Sequence, residues 1–251
     1  MAKIELDIKQ ALCVENPCYK LDQPLAVRGL MLHSVGCPQP NAAVFIRQFN
    51  RPDFSRACVH AFIDANTGEV YQTLPWEMRG WHAGGTANGS HIGIEMCEPP
   101  NIRYHKTGCA FDCADPKAAA EYVSRAYNSA VRLFAWLCRR FALYPADPKV
   151  IISHSEGHAL GVASNHGDPE HLWQGLGLPY TMDGFRRDVT ALLSAPTPYP
   201  ETLKSGCYRV RRSWQDPSTQ IGAFLSLSRA RRCARANRGY KVYAPNGEII
   251  M

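Results

Sequence analysis

"DPKAAAEYVSRAYNSAVRLFAWLCRRFALYPADPKVIISHS", residues 115–155, decides the fold class. Asp115 followed by Pro116 is a helix start: the carboxylate caps open N–H groups, and proline is tolerated in the first turn. Apolar residues then recur at 3.6 spacing to Leu143, which predicts one long helix over 115–143. The period breaks at Pro145, and "KVIISHS" (149–155) is short and apolar, as a buried strand is. Working outward, "VRGLMLHS" (27–34) reads as a strand ending at a histidine, and "HIGIEMC" (91–97) as another. "VHAFIDANTGEVYQTL" (59–74) predicts a β-hairpin turning at Asn66-Thr67-Gly68. "NAAVFIRQFN" (41–50) predicts a helix capped by Asn41. A further amphipathic helix is expected at 183–193, with Phe185, Val189 and Leu192 on one side. Strands interleaved with helices predict an α/β domain, a mixed central β-sheet flanked by helices.

The chain has 251 residues, 45% of them apolar and 20% charged, enough to bury a sizeable core. No apolar run reaches the roughly 18 residues of a membrane span. "MAKIELDIKQ" lacks the apolar h-region of a secretory leader, so synthesis in a cytosol without a Sec signal is expected. Most of the ten cysteines in a chain of this kind read as reduced thiols, with Cys97 and Cys138 in the core. His105, Cys109 and Cys113 lie close in sequence; they make either a second metal site or a Cys-rich loop. "LLSAPTPYPETLKSG" (192–206) is proline-rich and aperiodic. The expected domains are therefore 1–194, a linker at 195–206 and a small module at 207–251.

The module carries the charge. Residues 203–251 hold ten Lys and Arg against Asp216 and Glu248, while the rest of the chain is slightly acidic. An anionic partner is implied, or else only a soluble basic face. "CYRVRRSW" reads as a strand, "QIGAFLSLSRARRCARAN" as a basic amphipathic helix, and "RGYKVYAPNGEIIM" as a hairpin turning at Asn246-Gly247. That is β-α-β-β, a small α+β module.

"ISHSEGHALGVASNHGDPEHLW" (152–173) crowds four histidines, two glutamates and one aspartate into 22 residues. Histidines at strand ends (His33, His91, His154) have a fixed backbone and can converge on one ion. Imidazoles plus a carboxylate, with one position left for water, suit zinc. "HSEGH" is not the zinc-protease helix: its Glu stands one place late, and Gly157 weakens a helix between the imidazoles. His158 is left as a supporting residue, or as a ligand in place of His154.

"LMLHSVG", "VHAFIDANTGEVYQTLP", "RGWHAGG", "HIGIEM", "IISH" and "HGDP" together resemble, in order and approximate spacing, the zinc-dependent N-acetylmuramoyl-L-alanine amidases. This fold is shared with peptidoglycan-recognition proteins and many phage lysins. The resemblance covers about residues 25–190. It implies a zinc ion (Zn2+) held by His33, His154 and Asp168. It implies Glu95 as the acidic catalytic residue, His82 lining the cleft, and His166 where the family often has Lys. His60 stands where the family has Tyr or His, and it joins His166 as a candidate oxyanion donor. Trp76, Trp81 and the "GGTANGS" loop (84–90) are candidate cleft walls, or core packing in the case of the tryptophans. His166 in place of Lys makes the polarising charge pH-dependent, and it leaves open that His166 itself contacts the metal.

The resemblance implies hydrolysis of the amide between N-acetylmuramic acid and L-alanine, with bacterial peptidoglycan as partner, no specific nucleic acid and no membrane span. The tail resembles short sporulation-related repeats that bind walls. Tyr208, Trp214, Tyr240 and Tyr243 either stack on glycan or form the module's own core. Action at the cell wall, reached by lysis or a phage pore, is expected. A non-catalytic peptidoglycan binder of the same fold is the alternative; the filled ligand positions favour an enzyme. A nucleic-acid binder led by the basic tail is a more distant reading.

Overall fold

Leu30 to Ser34 lie beside Ile92 to Met96 as parallel strands, His33 opposite Glu95, in a computed structural model that describes residues 6–194, 207–224, 227–245 and 247–250. The chain divides into two units, Met1–Pro196 and Thr197–Met251. The expected linker, 195–206, lies outside the described residues. In chain order the first unit contains β1 (Ile8–Gln10), α1 (Pro17–Leu21), β2 (Gly29–Ser34), α2 (Ala42–Phe49), β3 (Ala61–Ile63), β4 (Val70–Gln72) and β5 (His91–Met96). It continues with β6 (Ile102–Tyr104), β7 (Phe111–Cys113), α3 (Pro116–Phe141), β8 (Ile151–Ser153), α4 (His154–Ala159), α5 (Glu170–Gly175) and α6 (Met182–Ser194).

The central sheet has the order β1-β4-β3-β5-β2-β8. Only β3 and β4 run antiparallel, joined by the expected hairpin; the other neighbours are parallel. Side chains alternate between faces along a strand. Leu30, Leu32, Ile92 and Ile94 therefore share one face, in a core cluster with Ala126, Ala130 and Phe134 of α3 and Phe185 and Val189 of α6. Met31 takes the other face and packs with Ala83, Ala87 and Ile152. His33 has the parity of Met31 and Glu95 that of Gly93, so both lie on this second face. They stand at the carboxyl ends of parallel strands, where open α/β sheets bind ligands.

The capping residues act as expected. Asn41 accepts from the Ala43 N–H (2.9 Å) and Asp115 from the Ala118 N–H (3.0 Å). The segment with His105, Cys109 and Cys113 lies in and around an antiparallel pair, β6–β7. All ten cysteines are free thiols. No helix among the described residues is long and apolar enough to cross a membrane.

The second unit contains β9 (Tyr208–Arg211), β10 (Gly222–Phe224), α7 (Leu227–Ala236) and β11 (Lys241–Tyr243), with an antiparallel sheet ordered β10-β9-β11. The order is β-β-α-β, a correction to the expected β-α-β-β. Gly222 disfavours helix, and Gly222 to Phe224 pair with β9 instead. Val210, Val242, Ala230 and Ala234 form the core. Trp214 lies on Tyr243 with ring centroids 5.5 Å apart, and Arg211 sits 5.0 Å over Trp214, so these aromatics pack within the module. The expected turn residue Asn246 lies outside the described residues; Gly247 has φ 87°.

Candidate metal centre

The site starts from a chain of hydrogen bonds that fixes one histidine tautomer. His82 is buried, and burial together with nearby imidazoles drives its pKa well down, so the ring is neutral. Its Nε2 lies 3.0 Å from the His91 carbonyl, which can only accept, so Nε2 carries the proton and Nδ1 is an acceptor. His33 Nε2 lies 3.0 Å from that Nδ1 and must donate to it. The Nδ1 lone pair of neutral His33 is thereby left on the opposite side. It faces Nδ1 of His154 at 3.0 Å.

His154 is set up from the other direction. β8 ends at Ser153, whose hydroxyl accepts from the Glu156 N–H (3.0 Å) while Glu156 accepts from the Ser153 N–H (3.1 Å). This capping box starts α4 at His154 itself. Arg186, 2.9 Å from both Glu156 oxygens, anchors it. Ser164 donates to the Ala83 carbonyl (3.2 Å) and receives from His154 Nε2 (3.2 Å). His166 Nδ1 lies 3.0 Å from the same Nε2. His154, too, is left presenting Nδ1.

Asp168 closes the group. Its Oδ2 accepts from the Ser34 N–H (3.2 Å) and lies 3.5 Å from His33 Nδ1; its Oδ1 lies 3.7 Å from His154 Nδ1. The three residues are buried, and their donor atoms lie within 4.8 Å of one another. Donors about 2.05 Å from a tetrahedral centre stand about 3.3 Å apart, close to these separations. The electrostatics agree. Burial lowers the pKa of His33, yet Asp168 and Glu95 more than reverse this and leave it raised. Burial pushes Asp168 up, but His33 brings it below the ordinary value. Burial, with His33, holds His154 down to about 4. The space between two imidazoles and a carboxylate therefore favours a positive charge, and the donor set fits a metal cation.

Glu95 lies beside this group and lines the same cleft, about 610 Å³ in volume. Burial pushes its carboxyl up to about 7, opposed by His33 and reinforced by Asp168 and Glu98. Its Oε2 is buried with no hydrogen-bond partner among the described residues. A buried oxygen left unpaired is costly, and here it belongs to a residue of the ligand cleft. His82 and His166 line this cleft as well.

Other expected residues go elsewhere. His60 is fully buried with both nitrogens occupied, Nε2 donating to the Met78 carbonyl (2.8 Å) and Nδ1 accepting from the Gly93 N–H (3.0 Å). It has no group left for an oxyanion and instead fixes the strand under His82. Trp76 packs in the main core near Trp136, ring centroids 6.1 Å apart. Trp81 packs on Cys18, Cys58, Leu74 and Met78. Neither lines the cleft. The 84–90 loop serves through Asn88, whose Oδ1 holds the N–H groups of His82 (2.8 Å) and Ala83 (2.7 Å). His91 begins β5, away from the centre, and contacts the Lys149 carbonyl. His158 is exposed on α4 and outside the cleft; the helix forms despite Gly157, a position where a Cβ would come within 2.8 Å of Met31. His105 pairs with Asp112 (3.2 Å); among the described residues, the one group of three with metal-ligand geometry is His33, His154 and Asp168.

Sequence reasoning missed Ser164 and a network on the cleft wall. The Tyr104 hydroxyl donates to Glu98 (2.7 Å) and lies 2.6 Å from His171 Nε2, while Glu98 accepts from the Gly36 N–H (2.8 Å). This ties the segment after His33 to the helix after Asp168. No spacing rule marks these residues; the nearest signal was a second acid three places after Glu95.

Gly93 allows His82 its place: a Cβ there would come within 2.3 Å of His82 Cγ. Gly93→Ala is expected to displace the His82 ring and lower metal affinity about 10- to 100-fold, as losing an outer partner of a ligand does. Chelator competition measures it. Gly89→Ala, where nothing lies within 4 Å, is the control and should change nothing.

A family model described as N-acetylmuramoyl-L-alanine amidase matches residues 23–171. The chain is similar to the N-acetylmuramoyl-L-alanine amidase XlyA of Bacillus subtilis (strain 168), 41% identical over 61 residues, which are 23% of this chain and 20% of that protein. The match thus spans about a fifth of the curated relative's length. Among solved structures it is similar to a mutant endolysin from Bacillus subtilis, with a TM-score of 0.50, 21% identity, and coverage of 74% of this chain and 99% of the other. It is also similar to the Staphylococcus aureus hydrolase AmiA in complex with its ligand, with a TM-score of 0.55, 17% identity, and coverage of 77% and 84%. At these identities the structures establish the fold.

Proposed function

Because the chain belongs to the N-acetylmuramoyl-L-alanine amidase family, we propose that it hydrolyses, with zinc, the amide between N-acetylmuramic acid and L-alanine in bacterial peptidoglycan. The observation that carries this reading is the convergence of His33 Nδ1, His154 Nδ1 and Asp168 beside Glu95 in one cleft. Two imidazoles and a carboxylate, with a fourth position open, are a catalytic zinc's ligand set. When bound, zinc supplies Lewis acidity, making water nucleophilic near neutral pH and polarising the amide carbonyl.

The chain's own groups supply the rest. Glu95, with its carboxyl near 7, takes a proton from the attacking water and returns it to the departing amine. His166 accepts from His154 through Nδ1, which leaves its Nε2–H as a donor for the oxyanion developing on the scissile carbonyl. His82 holds the tautomer of His33. The second unit is assigned to wall binding, which raises the local concentration of the first at its substrate. Action at the cell wall, reached by lysis or through a pore made by another protein, belongs to the same reading.

The test is chemical. Purified chain loaded with zinc should release new L-alanine amino termini from wall fragments, and chelation should stop it. Binding without release, with the metal site full, would make the protein a non-catalytic peptidoglycan binder instead.

His166→Ala tests the donor. Losing one oxyanion donor typically lowers kcat by about 100- to 1000-fold. The variant is expected to show that loss with its zinc content kept, read by turnover kinetics beside a metal assay. Native turnover in the variant would remove His166 from the polarising role.

A further inference from the structure

Five arginines of the second unit have no ion-pair partner among the described residues. α7 turns Ala230 and Ala234 onto the sheet, against Val210 and Val242. Arg229, Arg231, Arg232 and Arg235 are left exposed on the helix, and Arg238 just beyond it. Arg231, Arg232 and Arg235, with Leu227, line a depression of about 580 Å³. Among the described residues, none of these five guanidinium groups has an ion-pair partner. Arg231 and Arg235 stand one turn apart, about 6 Å along the axis, and like charges at that spacing repel. Only an anion from outside the unit relieves this.

We propose that this arginine face binds the phosphodiester-linked anionic polymer carried by a bacterial cell wall, a specificity that rests on the amidase reading of the first unit. Guanidinium forks match phosphate oxygens two at a time, and a row of them suits a repeating anion. Two other polyanionic surfaces fit less well. A helix that inserts into a lipid surface needs a free apolar face, and that of α7 is covered by its own sheet. Single-stranded nucleic acid is held by aromatic platforms along a basic groove. Here Trp214 and Tyr243 pack on each other, Tyr240 lies under Arg212, and no aromatic ring lines the depression.

The experiment uses the full chain and a variant carrying Arg231→Gln, Arg232→Gln and Arg235→Gln together. Both are partitioned, over rising salt, onto isolated walls that carry the polymer and onto the same walls stripped of it by acid. Hydrolysis of a soluble muramyl peptide and melting temperature are measured in parallel. The native chain should bind intact walls about tenfold more tightly than stripped ones, with steep salt dependence, and poly(glycerol phosphate) should displace it. The variant should lose about tenfold on intact walls, the sum of three exposed charge pairs, with stripped-wall binding and soluble hydrolysis unchanged and a melting temperature no lower than the native chain's. Equal binding of variant and native chain to intact walls would overturn the proposal. So would displacement by duplex DNA or anionic vesicles at lower phosphate concentration than poly(glycerol phosphate). Absence of soluble hydrolysis in both proteins would count against the amidase reading alone.

Discussion

Glu95→Gln is expected to retain zinc and lower kcat by about 100- to 10,000-fold, the usual contribution of a positioned acid–base group. Glutamine keeps the shape but cannot take a proton at neutral pH. In the proposed centre the three ligand atoms come from His33, His154 and Asp168, so metal content should match the native chain. KM should change little, because the loss falls on proton transfer rather than on binding. Stability supplies a second readout. The folded carboxyl is raised by burial from its ordinary value of 4.5 to about 7. A raised carboxyl contributes stability while it holds its proton and loses it as pH climbs from the unfolded value through the folded one. The metal-free native chain should therefore melt at a falling temperature relative to the Gln variant between about pH 4.5 and 7. Full activity in the Gln variant would move the base elsewhere, with Glu98 next to be tested.

Asp168→Ala is expected to abolish turnover through loss of the metal. The fall in zinc affinity should exceed the 10- to 100-fold that outer partners of a ligand command, since this carboxylate is one of three donors. It also accepts from the Ser34 N–H, so part of the effect of alanine is local disorder. Asp168→Asn separates the two, because the amide oxygen keeps that hydrogen bond while the negative charge goes. If Asn binds zinc like the native chain, the carboxylate is not a ligand. Asp168 and Glu95 together raise His33, so a proton competes for the same nitrogen, and zinc retention should weaken as pH falls. Equilibrium dialysis across pH reads this directly.

Much of the first unit was legible because its periods are clean. The 115–143 helix, the 59–74 hairpin and the strands at 27–34 and 91–97 all form close to their expected bounds. His33, His154 and Asp168 were reachable through strand ends and the order of short motifs. His60, Trp76 and Trp81 were not, since a ring that stacks on substrate and one that fills a core have the same letters. What separates them is burial and the partner of each ring nitrogen. Glu98, Tyr104, Ser164 and His171 escaped for a related reason: their roles arise from pairings across the fold, Tyr104 with His171 being 67 positions apart. In the second unit, β10 was absorbed into a helix because a short edge strand beside an amphipathic run gives no period of its own.

The proposed ligand atoms come from residues separated by 121 positions for the two imidazoles, with the carboxylate later still. A nascent chain that has not reached Asp168 therefore lacks part of the proposed centre, however well its early strands have formed. The proposed centre is completed in one step, when Asp168 joins the two imidazoles. A protease cut that freed either His33's strand or the segment running from His154 to Asp168 would undo it.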